Sequence, residues 1–162
     1  MKTNNNFKFS QRSISKLAQV DTDLVDVAYL ALEFTEVDFG VSEGLRSRSR
    51  QKELVASGKS QTMNSKHLDH PSTPDIIDSW AIDVYAYVDG AVSWDVGYYV
   101  KIAEAFRIAG IELNHNIRWG GSWTVLNQED SALAAYDGYI KRKNQAGAQP
   151  FVDAPHFEII KD

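Results

Sequence analysis

Apolar residues recur every three or four positions through the first part of the chain: Ile14, Leu17 and Val20, then Leu24, Val27, Ala28, Leu30, Ala31 and Phe34. That spacing puts them on one helical face, with Asp21 between the two sets as an N-cap, so the pattern predicts two short helices or one broken helix. The period then falls to two. Phe39 and Val41 alternate with Gly40 and Ser42 ahead of Gly44, which predicts a strand ending in a turn, with Arg46 just beyond it. Gln51 to Ala56 reads as a short helix closed by Gly58, and the polar, proline-containing stretch on to Trp80 as a loop. Ala81, Asp83 and Tyr85 alternate with Ile82, Val84 and Ala86, a strand expected to be buried on both faces; the acid it carries then needs a partner. Asp95 opens an apolar helix through Tyr98, Tyr99, Ile102, Ala103, Phe106 and Ile108, which Gly110 is expected to stop. Ile117 to Trp119 reads as a strand before Gly120 and Gly121, and Phe157 to Ile160 as a last strand with His156 at its start. Helices first, then strands around one long helix, predict an α+β fold: a small antiparallel sheet packed against helices in a single domain. Residues 1–6, with their Asn run, are expected to form a flexible N-terminus to a domain spanning 7–162.

Composition narrows the chemistry. With 162 residues, 43% of them hydrophobic, the chain can build one sizeable core. No apolar stretch approaches the ~20 residues of a membrane span, and polar residues fill the place where a signal peptide has its apolar segment. A soluble, non-exported monomer is expected. There are no cysteines, so any metal must be held by His, Asp or Glu. A formal net charge of −5 argues against nucleic acid as the main partner.

The chemistry-bearing residues are few. Of the four histidines His67, His70, His115 and His156, a lone one is usually structural or solvated. His156 stands in Asp153-Ala154-Pro155-His156-Phe157-Glu158, where Asp153 could face the same metal-bound water as the imidazole and act as general base. Two His and one carboxylate leave a fourth zinc position for water, the ligand count of a catalytic site. Each residue also has a plainer reading. Asp83 could cap a helix or turn, and Asp153 could cap the turn before Pro155. Arg46 lies near Arg48 and Arg50 in what composition alone makes a solvated basic face. Trp119 and Trp123 are more often core than substrate wall.

Taken together, Ser65-Lys66-His67, Ala81-Ile82-Asp83 and Asp153-Ala154-Pro155-His156 resemble the zinc peptidase family. That family includes D-Ala-D-Ala carboxypeptidases, vancomycin-resistance dipeptidases and tailed-phage L-alanyl-D-glutamate endolysins. Gly44-Leu45-Arg46-Ser47 is similar to its upstream Gly-x-Arg element, and Arg118-Trp119-Gly120-Gly121-Ser122-Trp123 to its aromatic, glycine-containing segment. Phe7-Lys8-Phe9-Ser10, and Asp instead of Glu at position 153, look like the phage branch. Two departures stand out. His67 and Asp83 are much farther apart than in the family, and Ser79 replaces a Gly. An inserted loop over 68–80 accounts for the first, and it brings in His70 as a rival to His67.

The resemblance implies zinc ligands His67, Asp83 and His156 on the sheet, Asp153 as general base, and Arg46 steadying the substrate carbonyl oxygen. Glu158 is left either orienting a ligand or lying against the site. The expected activity is hydrolysis of a stem-peptide bond of bacterial peptidoglycan, most simply L-alanyl-D-glutamate, by a phage endolysin. Such a protein would be made in the host cytoplasm and reach the wall after the inner membrane is breached. The alternatives are a D-Ala-D-Ala peptidase with the same metal, a zinc-stabilised wall-binding domain without turnover, and a glycan-cleaving enzyme with two carboxylates across a sugar cleft.

Overall fold

The structure is a computed structural model that describes residues 3–68 and 78–161. His70, the rival ligand, and most of the inserted loop lie outside the described residues. The N-terminal pattern resolves into two helices, α1 (Gln11–Leu17) and α2 (Thr22–Phe34). Asp21 separates them as expected, its carboxylate accepting from the backbone N–H groups of Asp23 and Leu24. Thr3 and Asn5, in the segment expected to be loose, hydrogen-bond to backbone carbonyls at the end of α2 and just beyond it. Strand β1 (Asp38–Glu43) follows, then α3 (Arg48–Ala56), which begins one turn earlier than its apolar pattern suggests because Ser47 caps it.

The sheet that carries the site is assembled from β1, β2 (Ala81–Val88), β3 (Ala91–Ser93), β4 (Asn116–Trp119), β5 (Thr124–Val125) and β6 (His156–Ile160). Its order is β1-β2-β6-β4-β5, every pairing is antiparallel, and β3 extends the far end of β2. Side chains alternate across it. Phe39, Val41, Ile82, Val84, Ile117, Trp119, Phe157 and Ile159 are buried in one core. Helix α4 (Val96–Leu113) joins that core through Phe106, whose ring stacks on Phe157 at 4.0 Å and meets Phe39 at 5.5 Å. Fully burying each such ring contributes roughly 1.5–3 kcal/mol, which fixes the sheet against α4.

Two expectations need correcting, and one helix lies where none was expected. Strand β2 is buried on its Ile82, Val84 and Ala86 face, but the opposite face opens at Asp83 and is exposed at Tyr87. Gly110 does not stop α4, which runs on to Leu113 and ends at Asn114 in the left-handed conformation. Gly110 instead permits close packing: a Cβ there would lie 2.9 Å from the His115 carbonyl oxygen and 3.1 Å from Ile117 Cγ1. The unexpected helix is α5 (Ala132–Gln145), capped by Ser131 and burying Ala132, Ala135 and Tyr139.

Candidate functional site

The face of the sheet away from α4 gathers the polar residues that alternation leaves over. In the β2–β6 register Asp83 is opposite His156 and Ala81 opposite Glu158, while in the β4–β6 register Arg118 is opposite Glu158. His67 arrives from the loop after α3. Its turn is set by Ser65, whose hydroxyl accepts the His67 backbone N–H, and by the Arg46 N–H, which donates to the His67 carbonyl at 2.9 Å. Ser79, at the position where the family resemblance expects Gly, is fully buried and hydrogen-bonds to the Gly44 and Ala81 carbonyls. It ties the entry of β2 to the turn after β1.

His67, Asp83 and His156 converge. His67 Nε2 lies 3.2 Å from Asp83 Oδ1 and 3.2 Å from His156 Nδ1, and the latter two are 3.5 Å apart. The outward ring nitrogens have partners that fix their tautomers. The Gly44 carbonyl can only accept, so His67 Nδ1 carries the proton of that 2.8 Å bond, and the Glu158 carboxylate takes the His156 Nε2 proton at 2.9 Å. With both rings neutral, two imidazole lone pairs and a carboxylate oxygen therefore point at one another. Such a set needs a positive charge at its centre. Without a metal a proton supplies that charge: burial alone would disfavour an imidazolium at His156, yet the Asp83 and Glu158 carboxylates push its pKa up to about 10, so a metal ion binds by displacing the proton from His156 Nδ1. Burial would likewise raise Asp83, but His67 and His156 outweigh it and hold the carboxyl well below its ordinary value. The donors lie within 4.8 Å of one another, and their chemistry, two neutral nitrogens and one oxygen, fits zinc.

Around this cluster lies a cleft of about 730 Å³ whose lining includes Arg46, Asp153, Arg118 and Trp123. Asp153 is positioned by backbone. Its N–H donates to the Gly120 carbonyl at 2.9 Å, and its own carbonyl accepts from His156 N–H at 3.0 Å, closing the turn through Pro155. That turn sits so tightly on β4 that a Cβ at Gly120 would come within 2.2 Å of the Asp153 carbonyl oxygen. The Asp153 carboxyl pKa is raised, first by burial and then by the charge of Asp83.

Arg46 is held by Glu43 at 2.6 and 3.0 Å, by Gln51 at 2.7 Å and by Asp83 Oδ2 at 3.3 Å. It is therefore part of the cleft and not of a solvated basic face. Sequence reading missed both Glu43 and Gln51; the only signal was their nearness to Arg46. Trp119 is fully buried core, whereas Trp123 lines the cleft with its ring 5.4 Å from that of His156. His115 is remote from this cluster, 3.7 Å from Asp23.

Residues 5–160 match the family described as phage L-alanyl-D-glutamate peptidase. The L-alanyl-D-glutamate peptidase of Escherichia phage T5 is 32% identical over 135 residues, covering 82% of this chain and 94% of that protein. Among solved structures, the L-Ala D-Glu endopeptidase ChiX of Serratia marcescens superposes with a TM-score of 0.67 at 35% identity, covering 96% of this chain and 92% of that one.

Proposed function

The chain belongs to the phage L-alanyl-D-glutamate peptidase family, and from that premise we propose that it cleaves the L-alanyl-D-glutamate bond of peptidoglycan stem peptides as a zinc-dependent endolysin. The observation that carries the reading is the pairing of a largely buried His/Asp/His donor set with a separate carboxylate, Asp153, in one cleft. A domain that only bound the wall would have no use for that carboxylate.

His67, Asp83 and His156 would hold the metal, with Gly44 and Glu158 keeping each imidazole turned so that its other nitrogen faces inward. Zinc bound there would supply Lewis acidity and lower the pKa of a water molecule enough for it to attack an amide near neutral pH. Asp153 takes the proton from the attacking water on its carboxylate and passes it to the leaving amine. Of the five N–H donors of Arg46, the four bonds to Glu43, Gln51 and Asp83 leave one on Nη1. That donor steadies the carbonyl oxygen as negative charge grows on it.

No helix among the described residues is long and apolar enough to cross a membrane; as an endolysin the protein would reach the wall once the inner membrane has been breached. The deciding experiment is mass analysis of muropeptides digested by the purified protein, with and without chelator. Products with a new N-terminal D-glutamyl residue, lost on chelation, are expected. Loss of terminal D-alanine alone would make the enzyme a D-Ala-D-Ala peptidase.

A further inference from the structure

The cleft holds more positive charge than its acids consume. Glu43 is committed to Arg46, Glu158 to His156, and Asp83 to two imidazoles, which leaves Asp153 as the one lining acid to set against the remaining cations. Lys59, Lys66, Lys143 and Arg118 line the same cleft. Lys66 lies over the Trp80 ring and Lys143 over the Tyr139 ring, each nearly 6 Å from the centroid, as cations at the rim. On a chain of net charge −5, such a rim draws anionic substrates toward this one opening.

Arg118 differs from the lysines. It rises from β4 on the same sheet face as the donor set, directly opposite Glu158 and therefore close to His156. Its side chain is 38% exposed, and its Nη1 lies 3.6 Å from Glu158 Oε2, too long for a hydrogen bond. Its Nε is buried and has no hydrogen-bond partner among the described residues. A guanidinium whose Nε is buried without a hydrogen-bond partner is unfavourable in isolation, and its more exposed end suits an anion that arrives with the substrate.

The substrate carries such an anion. In an L-alanyl-D-glutamate unit the glutamate nitrogen belongs to the scissile amide, and only one of its two carboxyl groups can continue the peptide chain. The other remains a free carboxylate within a few bonds of the reacting carbon. The geometry points to Arg118 as the residue that binds this carboxylate and makes the enzyme selective for a free acid over its carboxamide at that position. A planar guanidinium matches a carboxylate with paired hydrogen bonds, which a lysine cannot do. The inference rests on the bond assignment proposed above.

The test compares two synthetic peptides with the zinc-loaded enzyme. Both contain L-Ala-D-Glu extended through the side-chain carboxyl; one has a free α-carboxylate and the other an α-carboxamide. Wild-type enzyme is expected to cleave the free acid with kcat/KM about ten- to a hundredfold higher. Arg118→Gln is expected to cleave both peptides at about the rate at which wild type cleaves the carboxamide. Arg118→Lys should recover part of the preference. If Arg118 only neutralises Glu158, Arg118→Gln slows both peptides by the same factor, and the proposal is overturned. Equal rates for the two peptides with wild type overturn it without any variant, so misfolding of Arg118→Gln cannot shelter it. Wild type that cuts neither peptide but digests peptidoglycan elsewhere removes the bond assignment, and this inference with it.

Discussion

His67 Nε2 and His156 Nδ1 face each other across 3.2 Å although 89 positions separate them in sequence. Once His156 gives up its extra proton both nitrogens present lone pairs, since their rings donate outward to Gly44 and Glu158, and Asp83 Oδ1 adds a third donor. The first prediction follows: the protein binds one zinc per chain. At a free zinc concentration about a hundred times its Kd, the metal stabilises the fold by about 2.7 kcal/mol and raises Tm by roughly 5–10 °C. Elemental analysis and thermal melts with and without chelator measure this. His67→Ala should lose the metal and His70→Ala keep it; the reverse pattern would transfer the ligand role to His70.

Glu158 never touches the donor centre, yet its bond to His156 Nε2 decides which nitrogen faces inward. Glu158→Ala is expected to weaken zinc binding about 10- to 100-fold, the usual cost of removing such an outer partner. Competition against a chelator of known affinity gives the number. Unchanged affinity would reduce Glu158 to a neighbour of Arg118.

The two strongest elements of the site were legible in sequence for a simple reason. Strand alternation and short motifs are local, so Asp83 on β2 and His156 with Asp153 could be read without the fold. The existence of β1, β2, β4 and β6 and the Asp21 cap between α1 and α2 came from the same local periodicities. What failed was set by distant packing. Gly110 looks like a helix stop, but it is small because β4 crosses there. Helix α5 has apolar residues diluted by Asp137, Gly138 and Lys141, so its buried stripe stands out only against α4. The supports of Arg46 and the role of Arg118 depend on which strands are neighbours, and the sheet order β1-β2-β6-β4-β5 is not written in any one segment.

A third prediction concerns stability away from the site. Glu104 on α4 bonds Arg107 at 2.7 and 2.9 Å and also accepts the Ala132 N–H at 2.8 Å, which pins the start of α5. Burial would raise its pKa, but the bonds to Arg107 and Ala132 lower it below the ordinary glutamate value. A lowered pKa means that the stabilisation is complete above the unfolded-state value and is lost as pH falls through the folded one. Glu104→Ala is expected to cost about 1–2 kcal/mol at pH 7, allowing for its partial exposure. The deficit should shrink below about pH 4. Denaturant melts at both pH values check it, and a deficit independent of pH would assign the loss to packing.

The last prediction tests the general base. Asp153 does its structural work with its backbone, accepting from His156 and donating to Gly120, so Asp153→Asn keeps the turn, the side-chain size and the close fit over Gly120. It removes only the capacity to take up a proton near neutral pH. Zinc content and Tm should therefore stay near wild type, while hydrolysis of purified peptidoglycan falls by about a hundredfold or more, the usual contribution of a positioned base. A residue that merely shaped the turn before Pro155 would tolerate Asn without loss, because Asn adopts the same turn conformations. Steady-state rates alone could confuse a weakened substrate complex with lost proton transfer, so single-turnover rates at saturating enzyme are the cleaner measure. A zinc-replete Asp153→Asn protein that turns over at the wild-type single-turnover rate would exclude Asp153 as the base, and the attacking water would have to lose its proton to another group in the cleft.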